Sequence, residues 1–350
     1  MVGRAIDPKG TFRGIRHIEP LLDVRGVVRL IEEGFGGELN PMARETLRDL
    51  RRLSRMAWLL GPFLWMTPFE SLSSGFVWGE GRQVVGNVTL SQCRGGGPGC
   101  WLVSNMVVDP AHRRRGIGRA LMRKALAHIL SRNGRRAILQ VRADNRAAVH
   151  LYREMGFVAA DTVLEMRLPE PRPACPGTSR SEFSRAATLG AQPLEGVPVQ
   201  WRGYEEWHDE YLLSRAAVPA AAQRMHPLRA SSFRVEWDER ILRWFRNWCG
   251  SAREYRLGIR EERTLRAILT VWAGRWRRYH RLEIMVHPDH RGQWEPGLVD
   301  QALALLHPYP RHPVCVEAYA AHQALVRALE SRGFVTDRAL VQMELDLTKG

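Results

Sequence analysis

The chain has 350 residues, a hydrophobic fraction of 45% and a formal net charge of +15. This length fits one large domain or two ordinary ones, and the composition is normal for a globular protein. No apolar run reaches the roughly 18 residues that a membrane helix needs, and the N-terminus lacks a basic-then-apolar signal pattern. We therefore expect a cytoplasmic protein without a membrane span.

Cysteine spacing and charge distribution narrow the function classes further. The five cysteines are odd in number and widely spaced, and no CxxC pair occurs. That pattern supports neither a zinc site nor a disulfide framework, so no metal is expected. The basic charge raises the question of a nucleic-acid partner. However, the arginines are scattered along the chain without a dense basic block, which does not favour nucleic-acid binding.

Hydrophobic periodicity and turn residues predict an alternation of helices and strands in the first half of the chain. Helices are predicted over 21–35, 42–60, 117–132 and 145–155, and strands over 74–80, 83–92, 101–108, 137–142 and 163–168.

Two of these helices carry specific signals. In the helix 117–132, the pattern predicts one apolar face, made of Leu121, Met122, Ala125, Ile129 and Leu130. In the helix 145–155, Asn145 stands at the N-cap and Gly156 just beyond the end. Together the elements predict a mixed α/β layer in which strand, turn and helix are followed by strand and helix.

The composition changes at 169–198, where Pro, Gly, Ser and Ala dominate and no apolar period holds. This stretch is typical of a linker. The halves on either side resemble each other, since Pro110 matches Pro288 at an offset of 178 and Gly156 matches Gly333 at an offset of 177. The nearly constant offset indicates a duplicated unit.

The stretch RRRGIGRAL, 113–121, places arginines and two glycines directly before a predicted helix. A helix N-terminus presents unpaired N–H groups and a partial positive charge, and glycines let the backbone approach an anion. A Walker A loop would need a following Lys-Ser/Thr, and a dinucleotide fingerprint would need a third glycine or alanine where Leu121 stands. The turn is therefore a candidate phosphate cradle of another type.

The pattern that fits is [Q/R]xxGx[G/A], and it resembles the pyrophosphate loop of the GNAT family, the Gcn5-related N-acetyltransferases. VVDPAHRRRGIGRALM resembles the strand, loop and helix of that family. ADNRAAVHLYREMGF, about 30 residues later, resembles its N-x-x-A-x-x-L-Y-x-x-x-G-F segment. The resemblance implies two tandem GNAT-like acyl-CoA N-acyltransferase domains of mixed α/β fold. The first would span 1–169 and the second 199–350, joined by a linker at 170–198.

The resemblance also implies site residues. The turn would hold the pyrophosphate of acetyl-CoA, the co-substrate, and the strand before it would bond the pantetheine amides. Asn145 would lie near the pantetheine arm, and Tyr152 would act as the general acid at the thioester sulfur. The cofactor-binding residues implied are Met106, Val107, Val108, Arg113, Arg114, Arg115, Gly116, Ile117, Gly118, Arg119 and Asn145.

The chemistry of an acid at Tyr152 is plausible, because a leaving thiolate has a pKa of about 8.5 and a phenol of about 10. The alternative is an ordinary aromatic side chain on an amphipathic helix. The base is open: related protein N-terminal acetyltransferases often carry a glutamate where this chain has Gln140. A water chain, Glu32 or Glu33 would have to take the proton.

In the second half the corresponding turn is RGQWEPG, where Trp294 and Pro296 replace small or donor-bearing residues, and Leu329 faces Tyr152. This indicates a degenerate unit that no longer binds acetyl-CoA well. We expect an acetyl-CoA-dependent N-acetyltransferase acting on a small-molecule or peptide amine, as a monomer or homodimer. The alternative is a non-catalytic acyl-CoA-binding or regulatory protein.

Overall fold

The computed structural model describes residues 12–35, 74–81, 83–93, 99–169, 199–225, 228–234, 252–274 and 279–349. The predicted helix 42–60 and the predicted linker 170–198 lie outside these ranges. Contacts divide the chain into two compact units. The first unit consists of Met1–Val141, Asn145–Ala159 and Met343–Gly350, and the second of Arg142–Asp144 and Ala160–Gln342.

The predicted elements that lie among the described residues occur in the predicted order, and their bounds differ from the predicted ones mostly by one or two residues; the strand Arg13–His17 was not predicted. The elements of this half are β1 Arg13–His17, α1 Pro20–Phe35, β2 Gly75–Glu80, β3 Gln83–Gln92, β4 Cys100–Val108, α2 Ile117–Ser131, β5 Arg136–Arg142, α3 Arg146–Glu154 and β6 Val158–Leu168. The strand predicted at 163–168 begins five residues earlier in the structure.

The strands of the first unit follow the order β1-β2-β3-β4-β5. All neighbours are antiparallel except β4 and β5, which run parallel. The end of the chain completes this unit, because the Leu347 amide donates a hydrogen bond of 2.8 Å to the Arg135 carbonyl. The sheet of the first unit therefore depends on residues more than 180 positions downstream of α3.

Helices cover this sheet through small residues and apolar stripes. A Cβ on Gly34 of α1 would lie 2.5 Å from Cγ2 of Val107, so only glycine allows this close approach to β4. The buried stripe of α2 is Ile117, Leu121, Met122, Ala125 and Ile129. Leu130, predicted on this stripe, is 50% exposed. It follows Ile129 by one residue, a rotation of about 100° that carries it past the edge of the stripe.

The second unit repeats the arrangement. Its elements are β7 Val199–Trp201, α4 Trp207–Ala217, α5 Ala220–Met225, α6 Ala230–Phe233, β8 Ala252–Glu261, β9 Thr264–Gly274, β10 His280–Val286, α7 Glu295–Leu306, β11 Val314–Tyr319, α8 Gln323–Glu330 and β12 Val335–Asp346. The strand order is β7-β8-β9-β10-β11-β6, and β10 and β11 form the parallel pair. The last strand again comes from the other half of the sequence, since β6 pairs antiparallel with β11.

Each unit thus has a meander of antiparallel strands, a short 3-10 turn, a helix, a parallel strand and a second helix. The 3-10 turns, Pro110–His112 and Pro288–His290, stand at matching places. The mixed α/β fold with two repeated units is confirmed. The predicted division at 169 and 199 stays a prediction about the sequence repeats, because the compact units interleave. Within the described ranges, no helix is long and apolar enough to cross a membrane.

Candidate active site

An irregularity in β4 lies at the centre of the candidate site. On β3, Asn87 pairs with Val107 and Thr89 pairs with Ser104, so two residues of β4 stand opposite one residue of β3. The first of these two, Asn105, has φ 48°. This two-against-one pairing is a β-bulge, which bends the strand and redirects the residues that follow it.

Beyond the bulge, β4 no longer pairs with its parallel neighbour. The β4–β5 pairing covers Cys100 to Val103 of β4, whereas β4 itself continues to Val108. Backbone groups of the segment Met106–Val108 on the β5 side are therefore not paired with β5. An extended amide-bearing ligand could bond there as an added strand would.

The basic turn that follows β4 is open. Gly116 is the N-cap of α2 with φ 76°, and no side chain caps the helix there. A Cβ on Gly116 would meet nothing within 4 Å, so the need for glycine comes from its backbone conformation and not from crowding. Arg114 also has positive φ, 64°. The first N–H groups of α2 consequently face solvent together with the positive end of the helix dipole.

Gly118 brings the turn, β4 and α3 together. A Cβ there would lie 3.6 Å from Cε of Met106, 3.7 Å from Cδ2 of Leu151 and 3.8 Å from Cγ2 of Val108. These are ordinary contacts, so an alanine would also fit. The structure thus places the predicted turn residue beside the predicted strand residues Met106 and Val108, and beside the helix that carries Tyr152.

The arginines of the turn divide into two groups. Arg113 donates from Nε to the Val108 carbonyl at 3.2 Å, and Arg119 forms an ion pair with Glu154 of α3. Both side chains tie the turn to its surroundings. Arg114 and Arg115 are exposed and have no ion-pair partner among the described residues. They are the two that can bind an anion through charge-assisted hydrogen bonds.

Asn145 has a local role in the structure. Its Oδ1 accepts a hydrogen bond of 3.1 Å from the Ala148 amide, as the predicted N-cap would. Its side chain is exposed. The implied contact of Asn145 with a pantetheine arm stays a prediction.

Tyr152 is buried, with 6% of its surface exposed, and its ring lies 5.9 Å from the ring of Phe157. Burial raises the pKa of the Tyr152 phenol to about 12, because desolvation penalises the charged form. No hydrogen-bond partner for its hydroxyl occurs among the described residues. The phenol is therefore protonated at neutral pH, and its O–H is available as a donor.

Sequence reasoning missed the polar residues under the bulge. Asn87 and Thr89 of β3 are fully buried. Their signal in the sequence is a polar pair inside the apolar run VVGNVTL, 84–90. Of the residues considered for the acceptor's proton, Gln140 of β5 and Glu33 of α1 are exposed and Glu32 is partly buried, and a role for either glutamate stays a prediction. Within the described ranges no cluster of His, Cys, Asp and Glu is arranged to hold a metal ion.

The matching turn of the second unit is closed by its own side chains. Glu295, which is 2% exposed, accepts a hydrogen bond of 2.7 Å from the Gly292 amide. Pro296 stands in the first turn of α7 and has no N–H to offer. Arg291 donates to the Ala217 carbonyl at 2.8 Å. A carboxylate thus occupies the place where an anion would bind.

Known proteins show similarity to both the sequence and the fold. A model of the acetyltransferase (GNAT) family matches residues 44–157. Mycothiol acetyltransferase of Amycolatopsis mediterranei is 30% identical over 148 residues, which cover 42% of this chain and 47% of that relative. N-alpha-acetyltransferase RimI of Mycobacterium tuberculosis is 40% identical over 78 residues, 22% of this chain and 48% of that relative. The chain spans about half the length of these curated relatives.

Solved structures match over nearly the whole chain. A GCN5-related N-acetyltransferase from Sphaerobacter thermophilus superposes with a TM-score of 0.61 at 15% identity, covering 95% of both chains. A putative acetyltransferase from Pyrococcus horikoshii superposes with a TM-score of 0.51 at 13% identity, covering 95% of this chain and 88% of the other. At such low identity the likeness establishes the fold alone.

Proposed function

We propose that this chain, whose residues 44–157 match a model of the acetyltransferase (GNAT) family, transfers an acetyl group from acetyl-CoA to a primary amine by direct attack. The observation that carries the proposal is the open first turn of α2, with Gly116 in a left-handed conformation, next to the segment of β4 that lies beyond the β4–β5 pairing. The open helix turn would bind the diphosphate, and the neighbouring strand edge would bind the amides of the pantetheine arm. The two features lie side by side, as these two parts of the ligand do.

In this proposal the chain's residues divide the binding work. Amides from Arg114 to Arg119 bond the diphosphate, and the exposed Arg114 and Arg115 add charge-assisted hydrogen bonds. The backbone of Met106–Val108 bonds the amides of the pantetheine arm, and Asn145 lies beside the same arm. The acyl carbon is thereby directed toward α3 and Tyr152.

Tyr152 supplies the proton for the leaving sulfur. The amine nitrogen forms a bond to the acyl carbon, the C–S bond breaks with its electron pair on sulfur, and the Tyr152 hydroxyl protonates that sulfur. A pKa of about 12 exceeds the pKa of about 8.5 of a free thiol, so complete proton transfer in the resting site is unfavourable. Tyr152 therefore stabilises the developing thiolate as a hydrogen-bond donor until its proton passes to sulfur, and the resulting phenolate then takes a proton back from solvent.

The acceptor's proton needs a different route. Gln140 cannot take up a proton, so the proton that the amine loses passes to solvent, which contacts β5 at the exposed Gln140. The curated relatives carry different names: one is a mycothiol acetyltransferase and another is an alanine N-acetyltransferase of ribosomal protein bS18. They support amines as the acceptor class and favour no single acceptor.

Two measurements test the proposal. Calorimetric titration with coenzyme A should show binding by the unmodified chain. A panel of primary amines with acetyl-CoA, followed by thiol release, should then identify turnover. Binding without thiol release from any amine would favour the non-catalytic acyl-CoA-binding alternative, and no binding at all would contradict the proposal.

The matched variant for the acid is Tyr152→Phe, which keeps the ring and removes the hydroxyl. We expect kcat to fall by about a hundredfold or more with coenzyme A affinity unchanged, because the lost group acts on the leaving sulfur. Full activity of Tyr152→Phe on the true acceptor would refute the role of the phenol.

A further inference from the structure

A buried polar network holds the bulge of β4 from beneath. Asn87 of β3 donates from Nδ2 to the Asn105 carbonyl at 2.9 Å and to Thr89 Oγ1 at 3.2 Å. Asn105 in turn donates from its own Nδ2 to Thr89 Oγ1 at 3.4 Å. Asn87 and Thr89 are at most 1% exposed. Three polar side chains therefore form a closed network, which we call the bulge clamp, in an apolar part of the sheet.

The clamp bonds a backbone carbonyl at the point where the β3–β4 register shifts. Because two residues of β4 face one of β3 at the bulge, the usual ladder is interrupted there. A buried carbonyl without a partner is costly. The side chain of Asn87 supplies the donor for the Asn105 carbonyl, although its own Oδ1 stays without a partner among the described residues.

An extra residue in a strand reverses the alternation of the groups that follow it. The bulge consequently decides which amides of Met106–Val108 face β3 and which face away from it. These residues lie beyond the β4–β5 pairing and contact the turn at Gly118. The orientation of the strand edge and the bulge clamp are thus coupled through two or three residues.

The second unit provides an internal control. Its β9 and β10 pair in continuous register from Ala267 with Val286 to Trp272 with Arg281, without a bulge. Met285, which corresponds to Val107 at the offset of 178, stands opposite Ile268, which is fully buried. An apolar residue therefore replaces Asn87 in the unit whose turn is closed by Glu295. The clamp and the open turn occur together in one unit and are absent together from the other.

We infer that Asn87 is a positioning residue for the acyl-CoA, acting through the Asn105 carbonyl to orient the amides of Met106–Val108 toward the pantetheine arm. Thr89 supports it by fixing both asparagine side chains. The inference rests on the proposed function for its ligand. The clamp itself is a property of the free chain.

The first test is Asn87→Leu, a substitution of similar size that removes the donor. We expect the Kd for coenzyme A to rise about tenfold, which corresponds to the free energy of about one hydrogen bond. The kcat at saturating acetyl-CoA should change less. In the ligand-free chain, backbone amides 106–108 should exchange with solvent faster or shift in NMR spectra, while amides 100–103 stay unchanged. Unchanged amides together with unchanged coenzyme A affinity would overturn the inference.

Asn87→Asp supplies the rescue. Its carboxyl can donate to the Asn105 carbonyl only when protonated, so coenzyme A affinity relative to the unmodified chain should recover as the pH is lowered. Asn87→Leu should show no such recovery. The quantity to compare is the coenzyme A affinity of each variant divided by that of the unmodified chain. If this ratio does not change with pH for Asn87→Asp and equals the ratio for Asn87→Leu, no donor is needed at this position and the inference fails.

If Asn87→Leu does not fold, the pair Thr89→Val and Thr89→Ser tests the same network. The valine should weaken coenzyme A binding and the serine, which keeps the hydroxyl, should not; equal behaviour would overturn the inference. Failure of the proposed function has a different signature. The unmodified chain would then not bind coenzyme A, although the amides 106–108 would still respond to Asn87→Leu.

Discussion

The glycine turns of the two units begin with a similar backbone conformation but differ in whether their amides are bonded within the chain. Arg114 in the first unit and Gly292 in the second share positive φ values, 64° and 88°. Two residues later Gly116 keeps a left-handed conformation, whereas Trp294 has φ –103° and starts a helix with Glu295 and Pro296. The amides of the first turn face solvent. In the second turn, the Gly292 amide donates a hydrogen bond to the carboxylate of Glu295. The difference teaches that two repeats of one backbone can differ in whether their amides are free for a ligand, and under the proposed function only the first turn can bind the diphosphate.

The largest expected effect on acetyl-CoA binding comes from copying Pro296 into the first unit. Gly118→Pro places proline at the second helical position, which a helix tolerates, but it removes one N–H from the cradle. We expect acetyl-CoA affinity to fall by roughly ten- to a hundredfold, as for a lost hydrogen bond to a charged group. Calorimetry measures it. Gly118→Ala keeps the amide and fits the space, so its affinity should stay within about threefold; equal losses in both variants would contradict the role of this amide.

A smaller effect is expected from copying the charge pattern of the second turn. Arg114→Gly with Arg115→Gln reproduces Gly292 and Gln293. Both arginines are exposed, so their attraction to a diphosphate is screened by salt. We expect coenzyme A affinity to fall about tenfold at low salt and its salt dependence to become shallower. A titration series in sodium chloride gives both values, and an unchanged salt dependence would show that other groups neutralise the ligand.

The third prediction reverses the comparison in the second unit. Glu295→Ala removes the carboxylate that bonds the Gly292 amide, and the loss of this cap should lower the free energy of unfolding by about 1 kcal/mol. No second coenzyme A site should appear, because Pro296 still lacks an N–H. Thermal unfolding and binding stoichiometry are the measurements. A second binding event in Glu295→Ala would show that the carboxylate alone blocks the turn.

The smallest effect concerns His322, the N-cap residue of α8 at the position of Asn145. Burial, with Arg291 nearby, lowers the pKa of His322 to about 4. The folded state therefore keeps His322 neutral while the unfolded chain takes up a proton below about pH 6.5, so stability falls as the pH drops from 6.5 toward 4. His322→Asn should reduce this loss, raising the melting temperature at pH 5 relative to pH 7 by about 3 °C. An identical pH profile in both proteins would contradict the assignment.

Local signals in the sequence were sufficient for much of the first unit. Asn145 and Gly156 mark the ends of α3 because capping depends on neighbours in the chain. The glycines of the turn pointed to the open helix end for the same reason. Leu130 was assigned to the wrong face because periodicity alone does not define the width of a buried stripe.

The bulge, and the compact units to which the last strands belong, could not be read from the sequence. The bulge depends on the register between β3 and β4, and register is a property of the pair of strands. Asn87 gave a visible signal as a polar residue in an apolar strand, but its partner, the Asn105 carbonyl, carries no side-chain signature. The contribution of 343–350 to the first unit depends on contacts far apart in the chain.

That contribution has a consequence for anyone who makes truncated versions of this protein. A gene fragment ending after β6 would encode the open turn and Tyr152, yet it would lack the eight C-terminal residues that complete the first unit. The complementary fragment would lack 160–168, the edge that β11 pairs with. Each product would carry an unpaired, aggregation-prone strand edge. If both fragments are produced in one cell, each can supply the strand residues that the other lacks.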